Sequence, residues 1–135
     1  MRLLLDTNIC IYLIKQRPAE VIERMKRISP TDIGVSAITV AELQYGAAKS
    51  RHPDKNRTAL GEFLAPFELV PFDDRAAFHY GEIRARLDRE GKPIGAMDLL
   101  IAAQASSLGV ILVTNNIREF ERVPGLCVEN WVSTP

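Results

Sequence analysis

The chain carries no net charge: seventeen lysines and arginines balance seventeen aspartates and glutamates over 135 residues. With no bulk positive field to draw in a polyanion, any nucleic-acid contact has to be a local patch. Cysteine is scarce. Cys10 and Cys127 stand far apart in apolar sequence, which argues against a disulfide or zinc site and predicts two buried thiols in a reducing compartment. Aromatic residues make up only 7% of the chain, so Phe120 and Trp131 are assigned to core or interface and not to a base-stacking platform. No apolar run reaches the roughly 18 residues that a bilayer demands, and the leucines before Asp6 are too few for a signal peptide. A cytoplasmic address without a membrane partner is expected. Repeats, low-complexity tracts and linkers are also missing, and with 47% hydrophobic residues the chain is expected to be a single domain, 1–135, with a real core.

What is present is an alternation of apolar strands and helices. Residues 2–5 (RLLL) predict a short strand, and 7–15 a helix whose Ile9–Ile14 stretch is apolar all round. Such a helix packs on two sides, against the sheet and against a partner chain. Pro18 suits the start of a second helix, in which Val21, Ile22, Met25 and Ile28 recur at helical spacing. A strand is expected at 32–37 and a helix at 38–49. The polar turn 51–56 then leads into a helix ending near Leu64, before Pro66. Strand 67–72, helix 74–90 ended by Gly91, loop 91–95, the almost wholly apolar helix 96–108, strand 110–114 and a weaker strand 127–131 complete the pattern. This order argues for an α/β sandwich: a mostly parallel sheet of four to five strands with helices on both faces. Ligands in such sheets bind beyond the carboxyl ends of the strands. Asp6 lies at that edge.

Four acids occupy comparable places. Asp6 ends the first strand and precedes a helix, where capping alone accounts for it. Glu42 follows Thr39 in "TVAE" at the spacing of a capping box. Asp98 sits in the first turn of an apolar helix, a position the helix dipole favours. In "VTNNIREF" an apolar strand ends on Thr114, Asn115 and Asn116, and Glu119 lies three residues past Asn116, again a capping arrangement. Each acid has this local explanation when taken singly. Together they fall at one sheet edge, where converging carboxylates repel unless a cation joins them. A hard divalent cation, Mg²⁺ with Mn²⁺ as a substitute, prefers oxygen donors, and no His or Cys adjoins these acids to favour zinc. Such a site suits phosphodiester hydrolysis by metal-activated water, with Thr7, Asn8 and Thr114 as orienting groups.

Along the chain, "LLLDTN", "ITVAELQYG", "AMDLLIAAQA" and "LVTNNIREFERVPGL" resemble, in order, the motifs of the PIN-domain ribonucleases. They are most similar to those of the VapC-type toxins of type II toxin–antitoxin modules, over residues 1 to about 131. The resemblance implies a PIN-like fold and a Mg²⁺-dependent endoribonuclease that cuts structured RNA, commonly tRNA. It further implies inhibition of translation until a cognate VapB-type antitoxin covers the acidic site, with a homodimer or a larger toxin–antitoxin hetero-oligomer as the assembly. Carried over by residue, Asp6 and Asp98 are the metal ligands and Glu42 completes the acidic cluster. Many PIN domains have an Asp two residues after the strand-end Thr. Asn116 stands there in this chain, so Glu119 or a water-bridged Asn116 takes the fourth place.

Two other readings stay open, a different metal-dependent phosphoryl-transfer enzyme and a non-catalytic α/β binding module whose acids only cap helices. Against the first, Asn8 stands where a haloacid-dehalogenase-type phosphatase needs a second Asp, and no Lys ends a late strand as a receiver requires. Arg84, Arg86, Arg89 and Lys92 precede the Asp98 loop. Either they form a solvated face with Glu82–Arg86 and Asp88–Lys92 pairs, or some of them grip RNA phosphates. "EGKPIG" lacks the phosphate-loop pattern and is a turn. His52 is expected to be exposed and His79 partly buried.

Overall fold

Leu3, Leu4 and Leu5 form strand β1 and divide between two cores, because successive strand residues point to opposite faces of a sheet. In the computed structural model, which describes residues 1–132, Leu3 and Leu5 pack with Ile9, Val21, Ile33, Val35 and Leu60. Leu4 packs with Leu87, Leu99, Ile101, Leu112 and Phe120 on the opposite side. Leu4 and Leu5 are fully buried, which stabilises the fold by about 2 kcal/mol for each side chain. Residues 133–135, the end of the unit expected from the sequence, lie outside the described residues.

After β1 (Leu3–Leu5) come α1 (Thr7–Lys15), α2 (Ala19–Lys26), a 3-10 turn (Pro30–Asp32), β2 (Ile33–Ser36), α3 (Ala37–Ala48), α4 (Pro53–Leu64) and β3 (Glu68–Val70). The second half holds α5 (Asp74–Glu90), α6 (Ala96–Leu108), β4 (Ile111–Val113), α7 (Ile117–Phe120) and β5 (Val128–Glu129). The sheet order is β3-β2-β1-β4-β5, and every pairing is parallel. From β1 the chain moves outward through β2 to β3, then crosses to the other side of β1 for β4 and β5. Strand order therefore reverses between β1 and β4, the place where a crevice opens beyond the strand ends. Asp6 follows one of these strands and Thr114 the other.

The expected elements occur in the expected order, and α1, α5 and α6 have the expected bounds. Helix α4 starts at Pro53, inside the stretch assigned to a turn, since a proline at the first helical position gives up no hydrogen bond. Cys10 is buried as expected but Cys127 is exposed, which corrects the assignment of both thiols to the interior. Phe120 and Trp131 are core residues, His52 is exposed and His79 half-buried. In α1, Ile9 and Cys10 are buried, whereas Ile11, Leu13 and Ile14 remain half-exposed on the single chain.

Candidate active site

Asp6 is the N-cap of α1 and is only 3% exposed. Its backbone N–H donates to the Val113 carbonyl at 2.9 Å, which ties the end of β1 to the end of β4. Both carboxylate oxygens are occupied: the Thr7 N–H donates to Oδ1 at 2.8 Å and the Thr114 hydroxyl to Oδ2 at 2.7 Å. Burial pushes the Asp6 carboxyl above the usual range, the bonds from Thr114 and Thr7 pull against it, and the charges of Glu42 and Glu119 add to the rise. Asp6 is thus a cap and a member of a cluster at once.

Glu42 reaches the cluster through Thr7, whose hydroxyl donates to Glu42 Oε1 at 2.7 Å. The capping box expected at Thr39 and Glu42 does not form. Ser36 is the N-cap of α3, accepting from the Ile38 N–H at 3.0 Å, so Thr39 is buried in the first turn and Glu42 lies a turn further on. On the far side, Asp98 stands in the first turn of α6 and Glu119 in α7. Asn116 joins them: its Nδ2 donates to Asp98 Oδ2 at 3.3 Å and to Glu119 Oε2 at 3.1 Å. As N-cap of α7, Asn116 makes no side-chain capping bond; its amide is spent on the two carboxylates instead.

Crowding sets the protonation of this pair. Burial, the hydrogen bond with Glu119 and the charges of Asp6, Glu119 and Glu42 push the Asp98 carboxyl up to about 7. Glu119 is held below its usual range, first by the bond with Asp98, then by Asn116, the Gly95 N–H and the charge of Arg122, against the effect of burial. From Glu42 through Thr7, Asp6, Thr114 and Asn116 to Asp98 and Glu119, the polar contacts are continuous and cross the strand-order switch.

The PIN domain family model matches residues 3–126. The chain belongs to the PIN-domain family. Its relatives include "Ribonuclease VapC2" of Haemophilus influenzae, 48% identical over 132 residues and covering 98% of this chain and 99% of the relative. The "tRNA(fMet)-specific endonuclease VapC" of Salmonella typhimurium is 44% identical over 131 residues, covering 97% of this chain and 98% of that protein. Among solved structures, VapBC2 from Rickettsia felis bound to a promoter DNA fragment aligns with a TM-score of 0.91 at 42% identity, covering 98% of this chain and 100% of that one.

PIN-domain ribonucleases in general depend on a divalent metal, and the donor chemistry here fits one: carboxylate oxygens with hydroxyl oxygens beside them. Among the described residues, no three Asp, Glu, His or Cys side chains yet converge as a ready ligand set. The Thr7 hydroxyl holds Glu42 on one side of Asp6 and Thr114, and the Asn116 amide holds Asp98 and Glu119 together on the other. Asn8 is exposed in this PIN domain, and no hydrogen bond joins it to the cluster among the described residues. The α5 pairs differ from the expected ones: Arg84 pairs with Asp88 and Arg86 with Glu90, and Arg84 also donates to the Tyr80 hydroxyl. Arg122 and the Gly95 N–H went unremarked in the sequence. The spacing of Glu119 and Arg122, three residues apart around one helical end, was the available signal for the first. No local pattern announces the second.

Proposed function

We propose that this PIN domain is a Mg²⁺-dependent endoribonuclease toxin that hydrolyses phosphodiester bonds in RNA of the tRNA class, and that the chain 1–135 acts as one catalytic unit. The observation that carries the reading is the continuous chain of hydrogen bonds that brings Asp6, Glu42, Asp98 and Glu119, carried by separate elements, to the strand-order switch. A divalent cation offsets the repulsion among these carboxylates. Asp6 and Asp98 hold the ion, and Glu42 and Glu119 complete the acidic cluster, with Asn116 orienting Glu119. Bound Mg²⁺, or Mn²⁺ in its place, supplies water activated at neutral pH and positive charge for the phosphoryl oxygens. Thr7 fixes Glu42 and Thr114 fixes Asp6, so these carboxylates need little reorganisation when RNA arrives. No protein nucleophile is required.

The names of the Salmonella and Haemophilus relatives support RNA as the substrate, and the VapBC complex from Rickettsia supports an antitoxin partner. Half-exposed Leu13 and Ile14 on α1 leave apolar surface that suits a second chain, an antitoxin segment or a homodimer partner. Inhibition of translation and a cytoplasmic site of action follow from a tRNA substrate. No helix among the described residues is long and apolar enough to cross a membrane. Mapping RNA 5′ ends after brief induction of the protein and of its Asp98→Ala variant tests the reading. New ends with the wild type alone, reproduced by purified protein and abolished by EDTA, are expected; full cleavage by folded Asp98→Ala protein overturns it.

A further inference from the structure

An RNA strand reaching the carboxylates has to cross a rim of the crevice. At the rim between β4 and α1, the exposed Asn115, next to Thr114, donates from Nδ2 to the Tyr12 hydroxyl at 3.3 Å. Tyr12 is half-buried with its side chain packed against the core, so its position is set. Lys15 follows one turn along α1. Gln16 then takes a left-handed conformation, φ 59°, which residues with a side chain rarely adopt. The turn brings the chain back under the helix, and the Arg17 N–H donates to the Tyr12 carbonyl at 3.1 Å. Ile11, Tyr12, Lys15, Arg17 and Pro18 line a surface recess of about 330 Å³.

Position separates this recess from the basic face of α5: the Asn115–Tyr12 bond ties it to the loop after Thr114. Neither Lys15 nor Arg17 has an acidic partner among the described residues, as is also true of Arg89 and Lys92, whereas Arg84 and Arg86 pair with Asp88 and Glu90. In a chain with no net charge, two unpaired exposed cations beside an aromatic ring, leading from the acidic edge, form a local patch that a polyanion can use. We infer that this recess is an RNA-strand subsite: Lys15 and Arg17 take backbone phosphates, and the Tyr12–Asn115 pair contacts the nucleotide next to the cleavage site. The inference rests on the ribonuclease reading. The simpler use of such cations is to neutralise the carbonyls at the C-terminus of α1, and the two roles predict different results.

Fluorescence anisotropy with a labelled tRNA transcript, using the intact chain carrying Asp98→Ala in Mg²⁺ buffer so that the RNA stays uncut, measures affinity and its salt dependence. Adding Lys15→Ala and Arg17→Ala is expected to weaken binding by at least about tenfold and to flatten the slope of log K against log salt by about one per lost phosphate contact. Tyr12→Ala alone weakens binding about threefold or more, by loss of base or sugar contact. In the cleaving protein the Lys15→Ala/Arg17→Ala pair raises KM and leaves kcat within about twofold. Unchanged affinity and slope overturn the inference, whether the melting temperature holds or falls, since a fall without loss of RNA binding is the mark of helix capping alone. Either result leaves the ribonuclease reading standing so long as the wild type cleaves. A wild type that neither binds nor cleaves any RNA overturns both.

Discussion

The Thr114 hydroxyl donates to Asp6 Oδ2 at 2.7 Å and accepts from the Asn116 N–H at 2.9 Å, so one buried hydroxyl joins the end of β1 to the loop that carries the last acids. Thr114→Val keeps the volume and removes both bonds. It leaves one carboxylate oxygen of Asp6, a residue only 3% exposed, without its donor. The expected cost is about 1–3 kcal/mol in urea denaturation, with RNA cleavage falling by more than about tenfold. Thr114→Ser restores most of both.

The raised Asp98 predicts a pH dependence with a definite sign. An Asp that titrates at about 7 in the fold and near its usual value of about 3.9 in the unfolded chain makes the folded state the tighter proton binder. The stabilisation is complete below about pH 4 and is lost as pH rises through 7. Metal-free protein should therefore melt at progressively lower temperature from pH 5 to about 7.5, measured relative to Asp98→Asn protein, which cannot make this titration. Mg²⁺ added above pH 7 reverses the loss, because the cation takes over the role of the proton. Glu119, held below its usual range, contributes with the opposite sign and only at lower pH, as its carboxylate is protonated. A difference between the two proteins that stays flat across the window refutes the assignment.

How far the site was legible depends on the range of the interaction that builds it. Uniformly apolar strands such as "LLL" and "VILVT" predict a buried parallel sheet, and parallel strands place every strand end on one edge; Asp6 and Asn116 were found that way. The start of α3 was harder. "VSAITVAE" offers both Ser36 and Thr39 as caps, and only the length of β2, set by its pairing with β1 and β3, decides for Ser36. On α5 two registers of i,i+4 pairs were available from the same residues, and the helix adopts Arg84–Asp88 and Arg86–Glu90. Cys127 sits between Leu126 and Val128, yet it precedes a two-residue edge strand, where apolar neighbours do not ensure burial. The double donation by Asn116 depends on the first turn of α6 arriving beside the start of α7, which no local pattern encodes.

The two thiols give a chemical check on that fold. Burial, and after it the charge of Asp6, pushes the Cys10 thiol well above its usual range, and the side chain has no exposed surface. Cys127 is exposed. N-ethylmaleimide should therefore add once under native conditions, at Cys127, and twice in denaturant, as read by intact-mass and peptide spectra. Prompt native modification of Cys10 would contradict the packing of α1 against β1, and with it the placement of Asp6.

Gln104 extends the argument from the acids to the helices that carry them. It is 1% exposed on α6, the helix of Asp98, and accepts at Oε1 from the hydroxyl of Ser36 at 2.5 Å. Ser36 is the N-cap of α3, the helix of Glu42. The Gln104 amide also donates to the Pro71 carbonyl at 2.8 Å, just past β3. Gln104→Leu fills the same space but strands the Ser36 hydroxyl and the Pro71 carbonyl, at a cost of about 1–3 kcal/mol. If the bridge only stabilised the fold, the variant would melt earlier and cleave normally at 25 °C. Because it sets one acid-bearing helix against another, kcat is expected to fall by about tenfold while KM stays within about twofold, since small misplacements of reacting groups act on the transition state.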